Sequence, residues 1–259
     1  MQKVRAKKSL GQHFLKDPVI AKEIVDTLSL KGAYTDVLEI GPGMGILTDF
    51  LFQNKAYKTK VVDLDEESIQ FLNGKYPFDQ DRIIHGDFLT MEFDSFFKGP
   101  FAIIGNFPYN ISTQILFRVL DSKDRVPEIV GMFQKEVAER IAGTPGGREY
   151  GILSVLMQTW YNVSLVIQLK ETDFDPPPKV KSAVLHLIRK ENFTLGCDAK
   201  LFKAVIKMAF NQRRKTLSNA MSPMIPKDKQ ELMPFKTLRA EALSWTDFET
   251  LTNFVAVNR

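Results

Sequence analysis

Between residues 36 and 134 the chain alternates short apolar runs with amphipathic or polar stretches. The runs are DVLEI, KVVDL, RIIHG, FAIIG and EIVGMF, each separated from the next by a helical or loop segment. That alternation predicts a parallel sheet with crossover helices. Ahead of it, DPVIAKEIVDTLSL has apolar positions at helical spacing behind an Asp-Pro start, the signature of a helix N-terminus. Two later runs, NVSLVIQL and SAVLHLIR, flank FDPPPKVK with no helix-length connection, which predicts an antiparallel hairpin. After Arg189 the pattern becomes helical only, in AKLFKAVIKMAF, RRKTLSNAM and WTDFETLTNFVAV. The expected organisation is an α/β domain over residues 1–190 followed by a small all-helical domain over residues 191–259.

Several strand ends carry candidate chemistry. In VLEIGPGMGILTDFL, Gly41, Gly43 and Gly45 lie between an apolar strand and a helix, where glycine permits a tight turn and close approach of backbone to a ligand. The spacing is G-x-G-x-G, not the G-x-G-x-x-G of dinucleotide sites, and tight strand-to-helix packing also accounts for it. Asp63 and Asp65, in VVDLDEE at the end of the second strand, stand where a carboxylate accepts hydrogen bonds from ribose hydroxyls. Glu39, just before the first glycine, would repel a pyrophosphate but suits a ligand with a sulfonium and an ammonium, such as S-adenosylmethionine. Asp87, in HGDFL, can accept from an adenine amine or cap a turn.

The stretch GNFPYN, residues 105–110, interrupts what otherwise reads as a buried strand running into a helix. Pro108 lacks an N–H and disfavours helical angles at Phe107, so the Phe107 carbonyl can project outward. Together with the Asn106 side-chain oxygen it makes two adjacent acceptors. Those acceptors match the two N–H donors of an adenine amine, and holding both favours a tetrahedral nitrogen whose lone pair points at a methyl donor. Tyr109 offers an aromatic face to the base. No general base is required, because the alkylated, positively charged nitrogen loses its proton to water.

Composition narrows the class. The 44% hydrophobic and 25% charged content of 259 residues supports one good core and a smaller second one. The single cysteine, Cys197, and three scattered histidines provide neither an internal disulfide nor metal-ligand spacing, so no metal is expected. The longest apolar stretches fall far short of a membrane span, and the basic N-terminus lacks the apolar segment of a secretory signal; a cytoplasmic protein is expected. Charge is unevenly distributed within the net +4: residues 1–16 hold five Lys or Arg and no acid, and residues 179–259 hold 15 basic against 7 acidic residues. The stretch between holds 15 against 24. Basic blocks at both ends point to a polyanionic partner, a solvated surface being the plainer alternative.

Taken in order, GQHFL, EIGPGMGILT, GDFL, GNFPYNIST, FDPPPKVKSAV and AFNQRRKTLSNAM resemble the motifs of the small-subunit rRNA adenine N6,N6-dimethyltransferases, over nearly the whole chain. The resemblance implies a Rossmann-like S-adenosylmethionine-dependent methyltransferase sheet with a small all-helical C-terminal domain. It also implies methyl transfer to N6 of two adjacent adenosines in the hairpin loop near the 3′ end of 16S rRNA, within a 30S assembly intermediate, by a protein expected to be monomeric. Carried over, His13 and Leu15 line the methionine end of the cofactor, Gly41 and Gly43 belong to the loop, Asp63 binds ribose, Asp87 binds adenine, and Asn106 sits where cofactor and target meet. Phe174 would be a second aromatic stacking on the target base. Arg213, Arg214 and Lys215, read as adjacent on a helix, would reach phosphates of a folded RNA.

Two departures from the family pattern stand out. Its ribose position is commonly Glu and here is Asp63, which leaves Asp65 as a rival; its catalytic string is commonly NLPY and here is NFPY. Three other readings compete. A macrolide-resistance type methyltransferase commonly shows NIPY and lacks the FNQRRKTLSN segment. A non-catalytic assembly or transcription factor would not need Asn106, Pro108 and Tyr109 intact. A nicotinamide-dependent oxidoreductase is disfavoured by the glycine spacing and by Glu39.

Overall fold

The computed structural model describes residues 4–259, so Lys3, one cation of the basic N-terminal arm, lies outside the described residues. Two compact units emerge: one runs to Ala138 and resumes at Asn162–Arg189, and the other combines Glu139–Tyr161 with Lys190–Arg259. The division near residue 190 matches the change in sequence pattern, but residues 139–161, read within the first domain from sequence order, fold with the C-terminal helices. The reason is visible in the second unit's core: Leu153 and Leu156 are buried on a helix whose Trp160 meets Phe202 edge-on.

The elements in chain order are β1 (Phe14–Leu15), α1 (Pro18–Asp26), β2 (Asp36–Ile40), α2 (Thr48–Gln53), β3 (Lys58–Asp63), α3 (Glu66–Lys75), β4 (Ile83–His85), β5 (Phe101–Asn106), α4 (Ser112–Asp121) and β6 (Glu128–Gln134). They continue with α5 (Lys135–Ala142), α6 (Ile152–Trp160), β7 (Tyr161–Leu169), β8 (Phe174–Asp175), β9 (Ser182–Arg189), α7 (Ala199–Asn211), α8 (Leu217–Ala220) and α9 (Trp245–Asn258). Every apolar run singled out above is a strand. A seven-stranded sheet has the order β4-β3-β2-β5-β6-β9-β7. Its first five strands are parallel, and β9 pairs antiparallel with β6 and neighbours β7. The first five residues of β5 are buried, which explains why FAIIG reads as a continuous apolar run rather than an alternation.

Chain direction across the sheet reverses between β2 and β5. From β2 the strands step outward through β3 to β4, while β5 leads the other way to β6. At such a switch point the connections leaving two adjacent strands diverge and open a crevice at the carboxyl ends of the strands. The residues after β2 and at the end of β5 are the glycine loop and Asn106. A separate ribbon pairs β1 with β8, aligning Phe14 with Asp175 and Leu15 with Phe174, so two segments far apart in sequence meet beside that crevice.

In the second unit, α7 starts at an N-cap where Asp198 accepts from the Leu201 N–H, and α9 starts at a capping box formed by Ser244 and Asp247. Phe202, Val205 and Ile206 of α7 are buried, as are Phe248, Leu251 and Val255 of α9. RRKTLSNAM, expected as a continuous helix, is not one. α7 ends at Asn211, Arg213–Lys215 form a turn, and helix resumes only over α8. The N–H groups of Leu217 and Ser218 donate to the carbonyls of Leu238 and Lys236, so they cannot continue the ladder of α7.

Candidate active site

A pocket of about 170 Å³ occupies the crevice. Its floor is apolar, from Ile40, Val62 and Phe88, and its polar walls carry Asp63 and Asp87. Behind it a smaller cavity is bordered by Leu15, Glu39, Gly41 and Asn106. No Lys or Arg lines either cavity among the described residues, while three carboxylates do. An apolar slot flanked by carboxylates fits a nucleoside carrying positive charge, and disfavours one carrying a pyrophosphate.

The glycine loop forms one wall. Gly41, Gly43 and Gly45 have φ of +67°, +56° and +77°, the left-handed region that other residues adopt at a cost. At Gly43 space is also limiting, since a Cβ would sit 2.7 Å from the Phe14 ring. The Gly43 N–H donates to Asp63 Oδ2 at 3.2 Å, tying the loop to the end of β3. Behind the loop, Lys75 Nζ reaches Asp49 at 2.7 Å and the Met44 carbonyl at 3.2 Å, and the Tyr76 hydroxyl donates to Asp49 at 2.7 Å. Nothing in the local sequence marks Lys75 and Tyr76 as braces of that loop.

The two candidate ribose carboxylates have different surroundings. Asp63 lines the pocket and is only 8% exposed; burial raises its pKa, against the N–H groups of Asp65 and Gly43. Asp65 does not line the pocket. It caps α3, accepting from the Glu67 N–H at 3.2 Å, and receives Lys7 Nζ at 2.5 Å and Gln12 Nε2 at 3.1 Å. Burial pushes Asp65 up, and the Lys7 and Gln12 hydrogen bonds outweigh it and hold the carboxyl below its ordinary value. Asp65 is thus committed to the N-terminal arm. Asp87 caps a turn, Oδ1 accepting from the Leu89 N–H at 2.9 Å, and also lines the pocket.

Glu39 is 1% exposed and accepts from the Thr48 hydroxyl at 2.6 Å. Burial pushes its carboxyl up to about 8, with Thr48 opposing and Asp63 and Asp49 adding to the rise. Thr48 lies within the quoted glycine motif, yet its service to Glu39 was not legible there.

On the opposite wall, Asn106 Nδ2 donates to the His13 carbonyl at 2.7 Å, which fixes the amide and leaves Oδ1 as the outward acceptor. Phe107 turns its ring into the core, edge-on to Phe133 at 5.3 Å between centroids. Gly131 makes the room: a Cβ there would lie 2.4 Å from that ring. The ring of the phenylalanine in NFPY is thereby buried, while residue 107 still lines the pocket. Tyr109 stacks on the His13 ring, with centroids 5.4 Å apart at 28°, and its hydroxyl lies 2.5 Å from Ser182 Oγ. His13 Nδ1 donates to the Pro176 carbonyl at 2.7 Å, since the carbonyl can only accept.

Two expected placements do not hold. Phe174 was read as a second stacking aromatic, but its ring is 1% exposed in the core with Leu15, Met132 and Val184 and does not line the pocket. Pairing of β8 with β1 turns it inward; the ring that meets Tyr109 is His13 instead. Arg213, Arg214 and Lys215 are not equivalent cations on a helix. All three are exposed in the turn; the Arg213 guanidinium also donates to the Arg148 carbonyl and approaches Glu241 at 4.0 Å. Among the described residues no group of His, Cys, Asp and Glu could hold a metal ion, and no helix is long and apolar enough to cross a membrane.

Comparison with known proteins is consistent with this geometry. The model of the ribosomal RNA adenine dimethylase family matches residues 3–256. The ribosomal RNA small subunit methyltransferase A of Cytophaga hutchinsonii is 52% identical over 256 residues, 99% of both chains. That of Parabacteroides distasonis is 53% identical over 253 residues, 97% of this chain and 94% of the other. Among solved structures, a dimethyladenosine transferase from Plasmodium falciparum superposes with a TM-score of 0.77 at 26% identity, over 92% of this chain and 96% of that one. The 23S rRNA methyltransferase ErmE shares the fold, with a TM-score of 0.70 at 23% identity over 93% and 99% of the two chains.

Proposed function

Because the chain belongs to the ribosomal RNA adenine dimethylase family, we propose that its pocket holds S-adenosylmethionine and that residues 106–109 present the N6 amine of a target adenosine to the methyl group. The protein is an S-adenosylmethionine-dependent adenine dimethyltransferase of small-subunit ribosomal RNA. In the proposed reading its targets are two adjacent adenosines in the hairpin loop near the 3′ end of 16S rRNA. They are presented within an assembling 30S particle in the cytoplasm, to a monomeric enzyme that uses no metal.

Each wall has a role in that reading. Asp63 accepts from the ribose hydroxyls and Asp87 from the adenine amine of the cofactor. Gly41 and Gly43 let the loop backbone approach closely, and His13, Leu15 and Glu39 surround the methionine end, with Glu39 supplying negative charge once its carboxyl, raised to about 8, gives up its proton in the field of the cationic ligand. When bound, S-adenosylmethionine supplies an electrophilic methyl group on sulfonium. Asn106 Oδ1 and the Phe107 carbonyl accept the two N–H groups of the target N6, so its lone pair is directed at that methyl carbon. The nitrogen so held would take up that methyl group, the sulfur keeping the electron pair of the S–C bond, and would then release its proton to water with no side chain needed as a base. Arg214 and Lys215 contribute phosphate contacts to the RNA.

The observation that supports this reading most directly is the orientation of Asn106, whose amide nitrogen is held by the His13 carbonyl so that the oxygen is the group on offer. Methyl transfer to small ribosomal subunits lacking the modification, with the modified nucleosides identified, tests it. N6,N6-dimethyladenosine in the rRNA is the expected product; methylation at another atom or in another RNA would refute it.

A further inference from the structure

We propose that Ser182 is a positioning residue for methyl transfer, holding the Tyr109 ring in the plane that receives the target base. This rests on the reading of Tyr109 as the stacking aromatic. Tyr109 belongs to the connection between β5 and α4, a segment without ladder hydrogen bonds of its own to orient a side chain. A tyrosine there has two free torsions, and stacking tolerates only a narrow range of ring orientations.

The ring is held at two points, one supplied by the first residue of β9 and the other by the N-terminal arm, itself fixed by the connection between β8 and β9. At its edge, the hydroxyl lies 2.5 Å from Ser182 Oγ. On its face, His13 stacks at 5.4 Å, and His13 is itself held by the Pro176 carbonyl at 2.7 Å. Ser182 is a rigid anchor. It is fully buried at the first position of β9, paired with Gln134 of β6, and the preceding carbonyl, that of Lys181, accepts from the Lys135 N–H at 2.8 Å. The phenol oxygen is therefore engaged with the protein, and its contribution to turnover passes through Ser182. Position 182 is the point at which the sheet itself fixes the Tyr109 hydroxyl, complementing the His13 stack on the ring face.

Ser182→Ala and Tyr109→Phe remove the same hydrogen bond from its two ends while keeping the Tyr109 ring. Each is expected to lower kcat on undermethylated small ribosomal subunits on the order of tenfold, the scale of a modest misplacement at a reacting centre. The affinity for S-adenosylhomocysteine should be unchanged, and the double variant should be no slower than either single one. Wild-type turnover of Ser182→Ala, multiplicative losses in the double variant, or a parallel loss of S-adenosylhomocysteine affinity would each overturn the proposal. Tyr109→Ala separates it from the reading beneath: if that variant turns over normally, the stacking role itself is wrong. If Tyr109→Ala is inactive while Ser182→Ala and Tyr109→Phe are fully active, only the positioning role of Ser182 fails.

Discussion

The two walls of the pocket are built over different distances along the chain. At the glycine-loop wall the supporting contacts are short-range: Asp87 to Leu89 spans 2 residues, Glu39 to Thr48 spans 9, and Gly43 to Asp63 spans 20. At the wall of Asn106 and Tyr109, Tyr109 to Ser182 spans 73 residues, Asn106 to His13 spans 93 and His13 to Pro176 spans 163. A strand, its loop and the next helix can build the first wall almost alone, because the βα unit places those groups together locally. The second wall exists only after the N-terminal arm and the β8–β9 connection have docked. In the proposed reading, the nucleoside contacts of Asp63 and Asp87 should therefore survive loss of the Tyr109–Ser182 contact, whereas undocking the arm should disturb both target presentation and the methionine end, where His13 and Leu15 lie.

The largest effect expected to sharpen that contrast is at Asn106. Asn106→Ala removes an acceptor that acts most strongly as the target nitrogen becomes tetrahedral, so turnover should fall by roughly 10²–10³, by analogy with deletion of an oxyanion-hole donor. The fold and most RNA binding should remain; near-normal turnover in single-cycle assays would break the mechanism.

Gly43→Ala is the complementary test at the glycine-loop wall. A Cβ at φ +56° and 2.7 Å from the Phe14 ring forces the loop to move, at a cost of about 1–3 kcal/mol for the backbone conformation. Titration with S-adenosylhomocysteine should show weakened binding and thermal unfolding a lowered midpoint. Unaltered binding would mean that the loop does not need its observed shape.

A smaller, pH-dependent effect should come from Glu39. Its carboxyl lies at about 8 in the folded chain against an ordinary 4.5, so the folded state binds the extra proton between those values. Stability attributable to this group should be fully present below about 4.5 and decline as pH rises through about 8. Binding of a cationic cofactor favours the carboxylate, so affinity should rise with pH up to about 8 and then level off. Glu39→Gln should flatten both profiles, and persistence of either slope in that variant would assign it to another group.

The smallest effect belongs to the exposed turn of the second unit. Replacing Arg214 and Lys215 with Gln should leave S-adenosylhomocysteine binding intact and reduce affinity for the ribosomal particle. Each lost phosphate contact should diminish the slope of log affinity against log salt by roughly 0.7–0.9. Arg213→Gln should instead lower the unfolding midpoint, since that side chain is tied to Arg148 and Glu241. Identical salt slopes for wild type and the double variant would reduce Arg214 and Lys215 to a solvated surface.

The legible part of this protein was the part whose physics is local. Five apolar runs of strand length, two of the three helical segments after Arg189 and the glycine loop each depend on neighbours a few residues away, and each appears where the pattern placed it. Asn106 to Tyr109 could be singled out for the same reason, since Pro108 acts on the residue beside it. Placements that the sequence did not show depend on partners far along the chain. Phe174 pairs with Leu15 and packs in the core, and exposed Arg213 donates to the Arg148 carbonyl near Glu241. RRKTLSNAM has helical composition, but backbone donors at Leu217 and Ser218 found carbonyls at residues 238 and 236.

The choice between Asp63 and Asp65 marks the boundary. The sequence by itself determined that a carboxylate would stand at the end of the second strand of the α/β unit, because the strand and the turn after it are set by adjacent residues. It could not determine which of two carboxylates two positions apart would face the pocket. Lys7 and Gln12, more than fifty residues away, decided that by drawing Asp65 to the arm and leaving Asp63 beside Gly43. A hydrogen bond or ion pair selects its partner by distance in space, and only the packed chain sets that distance.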